Sequence, residues 1–421
     1  MVEERVLVQI ASYNTNLQGE RGLPQDLVDW LAPTLRVSSF LARDQRTPDI
    51  VAVGFQELLP LHLGLSGLSK PVIESRNSLI LSEIQEHAPN KENYSLIAKV
   101  GNVGVALFVY ARDDGIARRV CDVQTQWTGC GPVYMGNKGA VGVRFRVPGA
   151  DGGLGEVYTF ICAHLVAHTR YLEWRKRNFH YIVSNLLFPP LPGATSKGPT
   201  TMYSTSHLFF FGDLNFRLAL PPGSEQAANI CHTLAHEDTR RMLKEYDQLT
   251  IERDVKRSIF AGLREGEFWK FKCSYKYKLG QADRYDLKRM PAWTDRIMYT
   301  TYSDPPDTTA ESNIDNILYT SIPSYTTSDH KPIVSLLLLP PPQPSTTPIP
   351  LLRLPPHYVP VPDRLATVKK YIGRTLDRLI GYIWWIFTLV GAGSAILGIG
   401  NFIVGLGIWS WFKSKVQGTS A

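Results

Sequence analysis

Several apolar runs in this 421-residue chain stop at a side chain able to bind a cation or move a proton. Val6, Val8 and Ile10 share one strand face, and the same parity leads to Asn14. Ile50 to Phe55 runs into Gln56 and Glu57. Val157 to Ala163 runs into His164. Leu208 to Phe211 runs into Gly212, Asp213, Leu214 and Asn215. Asp329 and His330 stand just before the last apolar run. Asp213 and Asn215 fall on one side of an extended backbone, about 6–7 Å apart. An isolated strand-end Asn or Asp is usually a turn former. Five such terminations, dominated by hard oxygen donors, point instead to Mg²⁺, which binds through one or two carboxylates plus a substrate phosphate. A further segment, KRMPAWTDRIMY at 288–299, contributes Asp295. Its local pattern fits a Trp-anchored loop with a surface Asp–Arg pair equally well.

These residues need strands to hold them. The pattern predicts strands at Val6–Ala11, Ile50–Phe55, Val103–Val109, Ala140–Phe145, Val157–Ala163, Leu208–Phe211 and Pro332–Leu339. The run Leu208, Phe209, Phe210, Phe211 is apolar on both faces, as expected when both faces of a sheet are covered. Phe179, Ile182, Val183 and Leu186 follow the 3.6-residue period and predict a helix over 169–187. Leu27, Trp30, Leu31 and Leu35 suggest another. The Arg175-Lys176-Arg177 cluster reads as a solvated helix face. The fold class is mixed α/β, an α+β layered domain, with functional residues on one rim of strand ends.

Composition narrows the class. Hydrophobic residues at 44% and charged residues at 20% fit a globular protein and exclude a mainly disordered, collagen-like or coiled-coil chain. The net charge of +7 suits a polyanionic partner without choosing among nucleic acid, anionic lipid and a phosphorylated small molecule. Cys121, Cys130, Cys162, Cys231 and Cys273 form no Cys-x-x-Cys pair, so neither a disulfide framework nor a zinc knuckle is indicated. None is followed six positions later by Arg, which excludes the common cysteine-based phosphatase loop: Trp127, Gly136, His168, Glu237 and Leu279 stand there. The N-terminus has no apolar run long enough for a signal peptide, and the globular part is expected in a reducing cytosol.

The C-terminal part differs. Residues 1–339 carry the globular pattern. Residues 340–362 hold 10 of the 29 prolines and are expected to form an extended, semi-rigid linker. At about 3.1 Å per residue it could span about 70 Å, enough to let the domain reach a facing membrane. Residues 363–378 contain Arg364, Lys369, Lys370, Arg374 and Arg378 against Asp363 and Asp377, a basic juxtamembrane stretch. From Leu379 to Phe412 there is no Asp, Glu, Lys, Arg or His. Residues 379–412 therefore read as a hydrophobic membrane anchor, with Trp384 and Trp385 near one end and Trp409 and Trp411 near the other. A Gly-rich hairpin is the alternative geometry. Residues 413–421 form a short polar tail.

Taken together, the motifs SYNTN (12–16), GFQEL (54–58), GNKGAVGVRF (136–145), AHLVAH (163–168), FFGDLNFR (210–217), YKYK (275–278), RMPAWTDRIMY (289–299) and SDHKP (328–332) resemble the inositol polyphosphate 5-phosphatases of the endonuclease/exonuclease/phosphatase, DNase I-like superfamily. The resemblance spans about 5–339. It implies a two-sheet β-sandwich flanked by helices, a Mg²⁺ cofactor and a phosphoinositide headgroup substrate in an anionic membrane, with no nucleic acid. It also implies roles. Glu57 is the main metal ligand, with Asn14 and Asp329 close to the metal. Asp213 orients and deprotonates water with help from Asn215. His330 contacts the scissile phosphate and is held by Asp295, and His164 donates to another phosphate oxygen. Lys138, Tyr275, Lys276 and Arg289 grip the ring phosphates. One departure is Cys273-Ser274, where the family usually has Pro-Thr. The hydrophobic tail is similar to that of short, endoplasmic-reticulum-anchored, yeast-type phosphatidylinositol 4,5-bisphosphate 5-phosphatases.

The expected reaction is direct attack by water on the 5-phosphate, without a phosphoenzyme. Basic and aromatic residues interleave over 264–290 and are expected to form a headgroup pocket with a membrane-facing rim. Two other readings stand beside this one: a different superfamily phosphodiesterase (a nuclease or sphingomyelinase), and a non-catalytic membrane tether that binds phosphoinositides. The bilayer, through the C-terminal tail, is an expected partner in each tethered case.

Overall fold

The computed structural model describes residues 5–19, 31, 47–88, 90–149, 152–192, 197–221, 223–307, 310–342 and 348–390. Most of the expected 27–35 helix and the anchor from 391 onward lie outside the described residues.

The described residues form two six-stranded sheets packed face to face. The first is built from β1 (Leu7–Asn14), β2 (Ile50–Gln56), β3 (Tyr94–Asn102), β4 (Val105–Arg112), β11 (Asp315–Ser321) and β12 (Ile333–Leu338), in the order β11-β12-β1-β2-β4-β3. The second contains β5 (Cys121–Gly129), β6 (Gly139–Val147), β7 (Glu156–His164), β8 (His207–Asp213), β9 (Arg264–Glu265) and β10 (Asp295–Thr301), in the order β5-β6-β7-β8-β10-β9. The helices used below are α1 (Leu61–Ser66), α2 (Lys70–His87), α3 (Leu172–Asn185) and α4 (Ala366–Leu389).

Strand parity explains the layering. Val8, Ile10, Ala52 and Val109 of the first sheet face Val141, Phe160, Phe209 and Ile297 of the second, and form the central core. The opposite face of the first sheet, with Val51, Val53 and Phe108, is closed by Val72, Ile80 and Ile84 of α2. The outer face of the second, with Ile161, Leu208 and Phe210, is closed by Phe179, Ile182 and Val183 of α3. Covering both faces is why β8 is buried at every position.

All seven expected strands form. β10 was not read as a strand because its sequence, DRIMYTT, opens with a buried Asp and Arg. Arg296 is accommodated by ion pairs to Asp247 at 2.9 Å and Glu265 at 2.6 Å. β5 and β11 are edge strands with mixed exposure and no continuous apolar run.

One expectation outside the sandwich is corrected. The described part of the linker does not stand free. Leu352 N–H donates to Thr205 O at 2.9 Å, Ser206 Oγ to Pro350 O at 2.6 Å, and Tyr358 meets the Tyr203 ring edge-on. Thr205 and Ser206 precede β8 and supply a backbone carbonyl and a hydroxyl that an extended Pro-rich segment can use. Most of the basic stretch 363–378 is α4, which packs on the domain. Among the described residues, no helix is long and apolar enough to cross a membrane.

Candidate active site

Register brings the chemistry to one rim. β1 and β2 run parallel, with Asn14 opposite Gln56. β7 and β8 run parallel, with His164 opposite Asp213. The antiparallel β10 begins with Asp295 opposite Asp213, and β6 begins at Gly139 opposite His164, one residue after Lys138. Six segments distant in sequence therefore terminate or begin at the same edge.

Asp213 lies at the centre and is 1% exposed. Asn14 Nδ2 donates to its Oδ2 at 2.9 Å, and the Asn215 N–H donates to Oδ1 at 3.1 Å. His164 Nε2 is 3.3 Å and His330 Nε2 4.0 Å from Oδ2. Burial alone would raise the Asp213 pKa, but the charge of His330 and the hydrogen bond and charge of His164 win and hold it well below the ordinary carboxylate range.

Asp295 faces His330. His330 Nδ1 lies 2.9 Å from Asp295 Oδ2, and the same oxygen accepts from Ser274 Oγ at 2.7 Å and Thr294 Oγ1 at 2.8 Å. Ser274 and Thr294 thus each supply a hydroxyl to this one oxygen. Burial opposes charge on His330, yet Asp295, Asp213 and Asp329 lift its pKa to about 9. The ring is a cation at neutral pH. Tyr275 packs on it with centroids 4.6 Å apart.

Glu57 and Asn215 both adopt positive φ, 49° and 58°. Non-glycine residues reach this region at a cost, and such positions cluster at functional sites. The Glu57 side chain stays 30% exposed, and its carboxylate is 3.7 Å from His164 Nε2. Lys138 Nζ contacts the same imidazole. Burial pulls the Lys138 pKa down while Glu57 and Asp213 oppose the fall.

The remaining expected residues are placed less centrally. Asp329 pairs with Lys276 Nζ at 2.5 Å, and this contact raises the Lys276 pKa against a fall due to burial. A cleft of about 420 Å³ lined by Asn16, Lys276, Lys278, Lys288 and Asp329 opens beside that pair. Arg289 is exposed, and its backbone N–H donates to Asp286 O. In the 264–290 segment Phe268, Phe271 and Tyr277 are core residues, while Lys270 pairs with Glu267 and Lys272 with Asp283 on the surface.

Two arginines were missed by the sequence reading. Arg217 donates to Asn215 Oδ1 and stacks over Tyr275 at 4.4 Å. The signal was available, since 213, 215 and 217 share parity. Arg175, expected in solvent, is 0% exposed. It donates to Val166 O at 3.3 Å, to His168 O at 2.6 Å and to Gln248 Oε1 at 2.5 Å, bracing the loop that follows His164. Lys176 and Arg177 remain at the surface.

The donor chemistry fits a hard divalent cation. Glu57 presents a partly exposed carboxylate with spare acceptor capacity, and Asn14 and Asp213 add oxygens on the same rim. Asp213, Asp295 and His330 also bring one ligand atom each within 4.8 Å of one another. The His330 nitrogen facing Asp295 is engaged in an ion pair, which disfavours that trio as the primary cation site.

The model for endonuclease/exonuclease/phosphatase family 2 matches residues 11–336. The chain is 28% identical over 359 residues to synaptojanin-2 of Rattus norvegicus, covering 78% of this chain and 22% of that protein. It is 30% identical over 320 residues to the type II inositol 1,4,5-trisphosphate 5-phosphatase of Mus musculus, covering 73% of this chain and 28% of that one. The chain thus spans about a quarter of the length of these relatives. A crystal structure of the inositol polyphosphate 5-phosphatase domain of spsynaptojanin, with inositol (1,4)-bisphosphate and a calcium ion, superposes with a TM-score of 0.63 at 22% identity, covering 92% of this chain and 94% of that one, so the two share a fold. The paired sheets, the rim of strand ends and the match over 11–336 lead to one conclusion: the chain belongs to the endonuclease/exonuclease/phosphatase family 2.

Proposed function

We propose that this protein hydrolyses the 5-phosphate of phosphatidylinositol 4,5-bisphosphate, with Mg²⁺ as cofactor. The observation carrying the proposal is the convergence on Asp213 of Asn14, Asn215, His164 and His330, beside the lysine-lined cleft at Lys276. The name of the mouse relative and the inositol (1,4)-bisphosphate of the similar domain agree with this substrate class.

The chemistry follows from the residues. Asn14 and the Asn215 N–H fix the Asp213 carboxylate, so it can align a water and accept its proton. A strongly acidic carboxylate is adequate here, because a loose phosphoryl transition state needs little bond formation from the water before its proton leaves. Cationic His330, oriented by Asp295, donates to a phosphate oxygen as charge shifts onto it. His164 and Lys138 donate from the other side. Lys276 and Tyr275 are placed for a neighbouring ring phosphate, with Arg217 behind Tyr275. Glu57, with Asn14 and Asp329, would hold Mg²⁺, which would supply Lewis-acid neutralisation of phosphate charge. The C-terminal run 379–412 tethers the enzyme to a membrane, the endoplasmic reticulum in our reading, and so concentrates it near lipid substrate.

The test is phosphate release by the full chain from a phosphoinositide panel, with strand cleavage of DNA and phosphocholine release from sphingomyelin followed in parallel. The expected outcome is Mg²⁺-dependent release from the 4,5-bisphosphate lipid, abolished by EDTA. Hydrolysis of DNA or sphingomyelin instead would replace the reading with another superfamily activity.

A further inference from the structure

Helix α4 has its polarity turned inward. Its buried positions are Ala366, Gly373, Asp377 and Gly381, all against the sandwich. The approach is close: a Cβ at Gly373 would lie 2.0 Å from Tyr134 O, and one at Gly381 2.2 Å from Ser66 N. Charged side chains grip the domain. Asp377 accepts the Gly136 N–H at 3.0 Å, Arg378 donates to Leu65 O at 2.7 Å and Lys370 to Gln126 Oε1 at 2.9 Å. Arg374 stacks over Trp127 at 3.7 Å and donates to Asn102 Oδ1 at 3.2 Å. The outer face is apolar and exposed, with Val368, Tyr371, Ile372, Leu379, Ile383 and Ile386 among its residues. A helix on the surface of a protein in water normally shows the reverse arrangement.

Two further observations say what covers that face and what the docking controls. Beyond Val390 the sequence runs to Phe412 without a charged residue, so the exposed face continues into an apolar segment. The docking contacts fall on 134–136, just before Lys138, and on α1, just after Glu57. A helix whose apolar side faces away from its own domain, with amphipathic Tyr371, Tyr382 and Trp384 exposed, suits the boundary between lipid headgroups and acyl chains.

We propose that α4 is an interfacial strut: its outer face lies in a lipid bilayer and its inner face clamps the segments flanking Lys138 and Glu57, seating the site on the membrane that the tail enters. This rests on the tail-anchor reading above and adds a consequence. With residues 348–362 docked as well, the described residues leave no long free tether ahead of α4, and the domain acts in cis on lipids of its own membrane.

The experiment uses the full chain reconstituted in vesicles. Phosphatidylinositol 4,5-bisphosphate is placed either in those vesicles or only in separate ones. Turnover in the shared vesicles is expected to exceed that in separate vesicles by at least about tenfold, the scale of an effective-concentration gain. The Gly373→Leu/Gly381→Leu variant, which undocks the helix, and the Ile372→Asp/Ile383→Asp variant, altered only on the exposed face, are each expected to lose about tenfold on vesicle lipid. The exposed-face variant should hydrolyse soluble inositol 1,4,5-trisphosphate at the wild-type rate, and both variants should still float with the vesicles. Equal turnover in both vesicle arrangements, undiminished lipid turnover by the exposed-face variant, or loss of that variant's soluble turnover would overturn the proposal. So would self-association that buries the outer face. Failure of the unmodified chain to float would refute the tail-anchor reading itself, and the strut with it.

Discussion

Asp213 has little freedom. The Asn14 side-chain amide of β1 and the Asn215 backbone N–H just past β8 fix it, and two imidazoles face one of its oxygens. Asp213→Asn keeps the shape and removes the proton acceptor. It is expected to lower kcat by about 10²–10⁴-fold with a small change in KM, measured as phosphate release. His330 gives a sharper electrostatic expectation. Its charged form is favoured by Asp295 and Asp213 over the cost of burial, so it should stay protonated through neutral pH and lose the proton as pH rises through about 9. NMR titration of the imidazole in metal-free protein checks this, and Asp295→Asn should bring the midpoint down by more than a unit. A midpoint near that of free histidine would remove the cation from the mechanism.

The central strands were legible as elements because they are unbroken apolar runs with a polar terminus. Val6–Ala11 reads as β1 and Leu208–Phe211 as β8, each two or three residues short at the end that carries the site. That shortfall has a physical cause: Asn14 and Asp213 continue the ladder but are polar, and polarity was taken as a strand end. β10 stayed hidden for the same reason, since its buried Arg296 is neutralised by Asp247 and Glu265 from other elements. Arg175 is a parallel case on α3. Three consecutive basic residues look alike in sequence, but the 3.6-residue period turns one of them inward, where it braces 166–168 and touches Gln248. Arg175→Met removes a charged donor from all three acceptors, of which Gln248 Oε1 keeps the Arg217 N–H and His168 O the Tyr171 N–H. It is expected to destabilise the fold by about 2–4 kcal/mol, read from urea unfolding at constant slope.

At the scale of the whole molecule, the motifs in 12–332 come together on one rim of the paired sheets, while the arrangement of residues 348–390 was not legible. Prolines, cations and a following apolar run describe a linker, a juxtamembrane stretch and an anchor when read as composition. Docking depends on which α4 residues face the sandwich, and on loop carbonyls and amides at Tyr134, Gly136 and Leu65 that carry no sequence signature. The paired sheets likewise do not choose a substrate, since a fold hosts many chemistries and only the side chains on its rim discriminate. The most direct test of the account is therefore the position of the bond broken. Full-length protein is incubated with phosphatidylinositol 4,5-bisphosphate vesicles and Mg²⁺, and the lipid product is identified by headgroup chromatography, with Asp213→Asn alongside. The account expects phosphatidylinositol 4-phosphate as product and its near-absence with the variant. Phosphatidylinositol 5-phosphate, cleavage on the diacylglycerol side of the phosphodiester, or equal turnover by the variant would contradict it.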